Sequence, residues 1–168
     1  AVTESLREDT RRELGVTRDI QVIPNFLDPQ LHRRQRLSEL RRRYADVLSC
    51  LPPGPPVRAT MEQALTPLFA HLGELGAALR VLRQLVIERL VVLDCEQQAP
   101  LEVVTRAVTE LAELALDRAC EEAQTQLDAL YGVPMTEHGQ RAQLWIIGMG
   151  KLGARELNVS SDIDLIYV

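Results

Sequence analysis

The sequence is poor in aromatic residues and cysteine and has no long apolar run. Aromatic residues make up 4% of its 168 residues. Helix-forming Ala, Leu, Arg, Glu and Gln dominate, and β-branched and aromatic residues become dense only from Gln143 onward. This composition predicts an α+β chain that is predominantly α-helical, with a short β segment at its end.

These shortages and the spacing of the histidines exclude classes of protein. No apolar run reaches the roughly 18 residues that a membrane span requires, and the first residues lack the cationic start and apolar stretch of a signal peptide. The three cysteines form no Cys-x-x-Cys pair, as expected of reduced thiols, and the three histidines lack the spacing of zinc ligands. We therefore expect a soluble, cytoplasmic protein with no membrane partner and no zinc site.

The charge balance argues against a nucleic-acid partner. The formal net charge is -5. Non-specific binding to nucleic acid depends on an excess of Lys and Arg that neutralises phosphates. We therefore expect no nucleic-acid binding.

Breaks in the sequence divide the chain into three parts. Residues 1–56 form an N-terminal helical part that ends in the stiff linker Pro52–Pro56. Residues 57–134 follow as a helical hairpin region, and residues 135–168 as the start of a further domain. Before the linker, the sequence predicts a helix at about 2–14, an extended piece at Asp19–Pro24 and a helix at about 29–50.

Periodic apolar residues predict two long helices in the hairpin region. The segment Gln97–Pro100 separates the two helices, and Gly132 ends the second. Such stripes either pack in a helix bundle or dock a partner, and we favour the bundle core. The stripes consist of Leu79, Leu82, Val86, Leu90 and Leu93 in the first helix, and Leu101, Val104, Val108, Leu111, Ala115, Ala119, Leu127 and Leu130 in the second.

From Gln143 the pattern changes to two short continuous apolar runs. Leu144–Ile147 and Asp164–Val168 are typical of buried strands. Between them, Gly148–Asn158 is long enough for a glycine turn and about two turns of helix. The predicted order is strand, glycine loop, short helix, strand.

The glycine spacing Gly148-x-Gly150-x-x-Gly153 also matches the dinucleotide-binding fingerprint. In that fold the acid that binds ribose lies at the end of the second strand, whereas Asp162 and Asp164 stand at the start of theirs. The intervening helix is also short for a crossover. We therefore rank dinucleotide-dependent oxidoreduction below a phosphate-transfer function.

Asp162 and Asp164 alternate with Ile163, so on a strand both carboxylates would face the same side. Two such carboxylates repel unless a divalent cation lies between them, and oxygen ligands together with substrate phosphates suit Mg²⁺. An exposed strand edge would also account for the pair. Because it follows a glycine loop, we interpret the pair as a metal site for phosphate chemistry.

The glycine loop offers groups that bind phosphate. Gly148 and Gly150 allow backbone amides to approach phosphate oxygens closely. Lys151 is the only lysine among 19 basic residues. Its compact charge suits a phosphate contact, and an ordinary surface position is the alternative.

Three further polar residues near the loop have more than one interpretation. Ser160 and Ser161 would donate to phosphate or cap local turns. Arg155 would contact phosphate, Glu156 or solvent. We count Ser161 among the candidates for nucleotide binding.

The run Gly148–Leu165 reads GMGKLGARELNVSSDIDL. It resembles the nucleotidyltransferase motif of the bifunctional glutamine synthetase adenylyltransferase/adenylyl-removing enzymes, and more specifically that of their N-terminal, adenylyl-removing half. The close similarity covers Leu144–Val168. The segments Leu79–Asp94 and Thr109–Leu116 look like the helices that precede the motif in this family.

The resemblance implies a DNA polymerase β-like nucleotidyltransferase fold, Mg²⁺ dependence, and transfer of AMP to or from a tyrosine of glutamine synthetase. In this family one half attaches AMP from ATP, and the other removes it by phosphorolysis and gives ADP. By position, Asp162 and Asp164 match the catalytic, metal-binding pair, and Gly148 and Gly150 match the phosphate loop. A nitrogen-signalling regulatory protein is a further implied partner.

The sequence departs from the family pattern in two places. Ala154 stands where the family often has another glycine, and the chain ends at Val168, before the strand that carries the third acidic residue. Two strands alone are marginal and leave Trp145 and Tyr167 with little to pack against. We therefore expect a fragment without activity of its own, and the alternative function is a non-catalytic helical piece that docks on a protein partner.

Overall fold

The computed structural model describes Ser38 and residues 41–168. The chain divides into two units, Ala1–Glu39 and Leu40–Val168. All the elements named below belong to the second unit.

The first of these elements differs from the sequence prediction. Ala45–Cys50 is a 3-10 segment, where the sequence predicts the end of an α-helix spanning about 29–50. The start of that helix, the predicted helix at about 2–14 and the extended piece Asp19–Pro24 lie outside the described residues. The predicted boundaries after residues 56 and 134 stay predictions.

Three long helices follow: α1 (Arg58–Leu72), α2 (Leu75–Cys95) and α3 (Leu101–Tyr131). The two long helices predicted from the apolar stripes are α2 and α3, and α1 is an additional helix before them. Gly73 ends α1 at a φ of 72°, a left-handed conformation that glycine adopts without steric cost. This turn allows α2 to begin two residues later.

The core lies where the three helices meet. Its largest fully buried side chains are apolar, and their removal from water stabilises the fold by about 1.5–3 kcal/mol each. They include Met61 and Leu68 of α1, Leu82 and Leu90 of α2, and Leu114 of α3.

The apolar stripe of α2 packs in this core as predicted, whereas the stripe of α3 does so only in part. Val104 and Leu111 are buried, but Leu101, Leu127 and Leu130 are 69%, 53% and 74% exposed, so their predicted core position is wrong. For Leu127 and Leu130 the reason is length, because α3 has 31 residues while α1 and α2 have 15 and 21. The C-terminal part of α3 therefore has no neighbouring long helix among the described residues to cover it.

The proline-rich segment before α1 packs against α2. One terminal nitrogen of Arg89 donates to the carbonyl oxygen of Pro52 at 2.7 Å and to that of Gly54 at 3.3 Å. Leu51 and Pro56, near the two ends of the segment, are both buried. Pro52–Pro56 is therefore anchored along its length.

The first residue of α1 is hydrogen-bonded to α3. The main-chain nitrogen of Arg58 donates to a carboxylate oxygen of Glu110 at 2.6 Å, and its guanidinium donates to Asp117 at 2.7 Å. The hydrogen bond to Asp117 raises the pKa of Arg58. A carboxylate at a helix N-terminus also interacts favourably with the helix dipole.

The last segment forms a two-stranded sheet and one short helical turn. Strands β1 (Ile146–Gly148) and β2 (Leu165–Tyr167) pair antiparallel, with Ile146 opposite Tyr167 and Gly148 opposite Leu165. Between them, α4 (Gly150–Gly153) is a single turn rather than the predicted two. The predicted fold class, predominantly α with a small β part, is confirmed.

The strands are exposed, not buried as their composition suggested. Trp145 and Tyr167 are 65% and 63% exposed, and Ile147 and Ile166 are nearly half exposed. This agrees with the expectation that two strands alone leave these side chains with little to pack against.

No helix in the described part of the chain has an apolar stretch long enough to cross a bilayer. Cys50, Cys95 and Cys120 are not joined in disulfide bonds.

Candidate functional site

The glycine loop after β1 is a tight, well-packed turn. Gly150 has a φ of 54°, a left-handed conformation that disfavours side chains. A Cβ atom on Gly153 would overlap the carbonyl oxygen of Gly148, and one on Gly148 would lie 2.7 Å from the Cγ of Leu152. Gly150 is therefore needed for its backbone conformation, whereas Gly148 and Gly153 are needed because a Cβ atom would not fit there.

This turn leaves three consecutive amides free. The main-chain nitrogens of Gly150, Lys151 and Leu152 donate no hydrogen bond to another residue in the described part of the chain, whereas that of Gly153 donates to Met149. The side chain of Lys151 is also exposed and makes no ion pair with any described residue. Successive amides around a left-handed residue form a concavity that binds anions.

The two predicted acids lie immediately before β2. The structure begins this strand at Leu165, so Asp162 and Asp164 are on the connection into the strand and not on the strand itself, as the sequence suggested. The main-chain nitrogen of Met149 donates to the carbonyl oxygen of Asp164 at 2.9 Å. This bond extends the strand pairing by one step and places Asp164 beside the glycine loop.

Both aspartates are exposed, and neither side chain pairs with Arg or Lys among the described residues. Oxygen donors without a protein cation nearby fit Mg²⁺, which keeps several waters and binds substrate phosphates. No group of three His, Cys, Asp or Glu residues with metal-site geometry occurs in the described part. The role of Asp162 and Asp164 as metal ligands stays a prediction.

Ser160 and Ser161 precede these acids. The main-chain nitrogen of Ser161 donates to the carbonyl oxygen of Asn158 at 3.1 Å, which closes a local turn. Neither serine hydroxyl makes a hydrogen bond within the described residues. A role for Ser161 in nucleotide binding stays a prediction.

Arg155 contacts a partner that the sequence did not indicate. Its guanidinium donates to a carboxylate oxygen of Glu113 on α3 at 3.2 Å. Two residues later, the main-chain nitrogen of Leu157 donates to the hydroxyl of Thr109 at 3.3 Å. The segment after the glycine loop is therefore bound to one face of α3.

Sequence reasoning missed Thr109 and Glu113 as neighbours of the site. They are separated from Leu157 and Arg155 by 48 and 42 positions, and no short motif joins them. One weak signal exists, since Thr109 is a polar residue beside the apolar stripe of α3. A buried hydroxyl at such a place needs a hydrogen-bond partner.

A cleft of about 610 Å³ lies between α3 and the strand–loop segment. Its lining includes Asp117 on one side and Trp145, Gly148 and Gly153 on the other, but neither Asp162 nor Asp164. The acidic pair therefore lies at the open surface of the loop, away from this cleft.

The strand pairing decides between the two interpretations of the glycine spacing. A dinucleotide-binding unit joins parallel strands through a crossover helix. Here β1 and β2 are antiparallel, and the connection holds one four-residue turn. The antiparallel geometry therefore agrees with the interpretation that places dinucleotide binding below phosphate transfer.

Comparison with known proteins gives one consistent result. The model of the glutamate-ammonia ligase adenylyltransferase family matches residues 19–168. Similar curated proteins are bifunctional glutamine synthetase adenylyltransferase/adenylyl-removing enzymes. That of Burkholderia mallei is 38% identical over 143 residues, 82% of this chain. Those of Ralstonia nicotianae and Chromobacterium violaceum are 40% and 50% identical over 140 and 95 residues, 80% and 56% of this chain.

The chain is much shorter than these relatives. The matched parts are 16%, 15% and 10% of the enzymes from the three organisms. The chain therefore spans about one sixth of the length of the curated relatives it matches.

Proposed function

Because this chain belongs to the glutamate-ammonia ligase adenylyltransferase family, we propose that it carries the first part of a nucleotidyltransferase site acting on glutamine synthetase. The reaction transfers AMP to or from a tyrosine of glutamine synthetase, with ATP as donor in one direction and phosphate as acceptor in the other. The observation that carries this proposal is the hydrogen bond from Met149 to Asp164, which joins the loop with its three free amides to the acidic pair.

The loop binds the nucleotide phosphates in this proposal. The amides of Gly150, Lys151 and Leu152 are free to donate to phosphate oxygens, and Lys151 adds a positive charge without a competing ion pair. Because the loop is fixed by close packing of Gly153 on Gly148, little reorganisation is needed when the phosphate binds.

Asp162 and Asp164 hold Mg²⁺ in the same proposal. The ion, when bound, neutralises phosphate charge and favours attack at phosphorus. The chain's own residues keep the two carboxylates next to the loop through the Met149–Asp164 bond. The complete fold is DNA polymerase β-like, the protein is cytoplasmic, and it regulates nitrogen assimilation. A nitrogen-signalling regulatory protein is a further partner.

Binding of nucleotide with and without Mg²⁺ tests the proposal. Calorimetry with ATP and ADP should show that Mg²⁺ strengthens binding to the parent chain and does so less in Asp162→Asn and Asp164→Asn. Glu156→Gln is the matched control, because Glu156 is an exposed carboxylate near the loop without an ion pair among the described residues. Equal Mg²⁺ dependence in all four proteins would refute the metal assignment.

Activity is a separate question, tested with this sequence in place of the matching segment of the longer Burkholderia mallei enzyme. Mass spectrometry of glutamine synthetase would follow the gain or loss of AMP on its tyrosine. The same two aspartate variants should abolish the reaction, and Glu156→Gln should retain it. Binding to glutamine synthetase without any Mg²⁺-nucleotide binding would favour a docking role instead.

A further inference from the structure

Helix α3 holds the segment that follows the glycine loop through two side chains one helical turn apart. Thr109 accepts a hydrogen bond from the main-chain nitrogen of Leu157, and Glu113 accepts one from the guanidinium of Arg155. Residues four apart lie on the same face of a helix. Both contacts therefore bind Arg155–Leu157 to the same face of α3.

The hydrogen bond to Thr109 determines where Leu157 lies. Thr109 is fully buried, and its hydroxyl donates to the carbonyl oxygen of Thr105 at 2.8 Å, which leaves its oxygen to act as an acceptor. Leu157 is only 3% exposed, so its amide has little access to water. A buried amide without an acceptor is strongly unfavourable. Displacement of Leu157 from Thr109 is therefore costly.

The segment Arg155–Leu157 is in turn bonded to the loop. The main-chain nitrogen of Glu156 donates to the carbonyl oxygen of Lys151 at 2.8 Å. That carbonyl shares one planar peptide unit with the free amide of Leu152. The bond from Glu156 therefore fixes the direction in which the Leu152 amide points.

Arg155 itself occupies an unfavourable backbone conformation. Its φ is 60°, a left-handed value that is uncommon for a residue with a side chain. Such conformations persist where the surrounding structure holds them. The ion pair with Glu113 is a contact that does so.

We propose that Thr109 and Glu113 are positioning residues for nucleotide binding, which fix Arg155–Leu157 on α3 and thereby aim the loop amides at the phosphates. This inference rests on the proposed function of the loop. The helical region then contributes to nucleotide binding, because a substitution on α3 that moves Leu157 and Glu156 also moves the peptide group between Lys151 and Leu152.

The test compares shape-matched variants of Thr109. Thr109→Val removes the acceptor with little change in volume, and Thr109→Ser keeps the hydroxyl. Thr66→Val, on α1, is the control for the same substitution at an exposed threonine. Two measurements are made on each protein: hydrogen exchange of the amides of residues 150–157 without nucleotide, and the affinity for Mg²⁺-ATP.

We expect Thr109→Val to exchange faster at Leu157 and Glu156, whose amides are hydrogen-bonded in the parent, and to bind Mg²⁺-ATP about tenfold more weakly, the factor that one hydrogen bond represents. Thr109→Ser and Thr66→Val should match the parent in both measurements. Exchange of the amides of α2 reports whether each variant is folded. If Thr109→Val does not fold, Glu113→Gln carries the same test, with faster exchange expected at Arg155–Leu157 and weaker binding.

The outcomes separate this inference from the proposed function. Faster exchange at Leu157 with unchanged affinity would overturn the positioning role, as would unchanged exchange in Thr109→Val. If the parent binds no nucleotide, the proposed function of the loop fails. Loss of Glu156 protection in Thr109→Val and its rescue in Thr109→Ser would then still support the connection between α3 and the loop.

Discussion

The main-chain nitrogen of Met149 donates to the carbonyl oxygen of Asp164 at 2.9 Å, one step beyond the last paired residues of β1 and β2. In an antiparallel pair, the end of one strand lies beside the start of the next. The residues that leave β1 are the glycine loop, and those that enter β2 are the acidic pair. The strand register therefore brings together two groups that are about 14 positions apart in the sequence.

The first prediction tests the packing of the glycine loop. Gly153→Ala should destabilise the chain by about 1–3 kcal/mol, because the added methyl group overlaps the carbonyl oxygen of Gly148 and the turn has to move. Urea unfolding followed by circular dichroism measures the change. Nucleotide affinity should fall as well, since the free amides belong to the same turn.

The matched control for this prediction is Gly76→Ala. Gly76 lies in the first turn of α2, and a Cβ there meets only the ends of the Glu74 and Arg80 side chains, which are flexible. Alanine in a helix is favoured over glycine, so we expect a neutral effect or a gain of about 0.5 kcal/mol. Equal effects of the two substitutions would contradict the close packing of Gly153 on Gly148.

The second prediction concerns the apolar stripe of α3. Leu111→Ala should reduce the free energy of unfolding by about 2–3 kcal/mol, because it leaves a cavity beside the core. Leu130→Ala, a change of the same size in an exposed residue of the same helix, should alter it by less than about 0.5 kcal/mol. Denaturant unfolding of the two variants decides whether Leu111 belongs to the core and Leu130 does not.

The helices could be predicted from the sequence because the spacing of apolar residues along a helix involves only residues that are close together in the chain. Leu82, Val86 and Leu90 lie at helical spacing, and the structure buries all three. Periodicity does not report what covers a helix face, which depends on the lengths of the other helices. For this reason the sequence placed Leu127 and Leu130 in the core although both are exposed.

The candidate site could be predicted only as far as its residues are close in the sequence. The glycine loop and the two aspartates stand within one short segment, and a motif describes them. The hydrogen bond from Leu157 to Thr109 joins residues 48 positions apart, and the pair of Arg155 with Glu113 joins residues 42 apart. Such contacts follow from the packing of Arg155–Leu157 on α3, which the pattern of residues does not specify.

The third prediction concerns the junction of α1 with α3. Arg58→Ala should lower the free energy of unfolding by about 1 kcal/mol, because it removes the ion pairs with Asp117 and Glu62 between partly exposed groups, and such pairs contribute little. The main-chain bond from residue 58 to Glu110 stays possible in the variant. Thermal unfolding at low and high salt measures the effect, which should shrink at high salt.

Arg83→Ala is the control for this loss of charge. Arg83 is exposed on α2 and makes no ion pair with a described residue, so its removal should leave the unfolding temperature nearly unchanged at both salt concentrations. A loss in Arg83→Ala as large as that in Arg58→Ala would show that net charge, and not the contact with Asp117, sets the result.

The last prediction tests the role of Lys151 in phosphate binding. Its side chain is exposed and pairs with no described residue, so Lys151→Ala should leave folding intact, with the same helical circular dichroism signal and unfolding temperature as the parent. Affinity for ATP and ADP should fall about tenfold, because a charge-assisted hydrogen bond to phosphate is lost. Calorimetry at two salt concentrations should also show a weaker salt dependence in the variant, since one cation fewer contacts the phosphates. Arg83→Ala again controls for charge and should bind both nucleotides as the parent does. Unchanged affinity in Lys151→Ala would mean that the loop amides bind the phosphates without it, and would make Lys151 an ordinary surface residue.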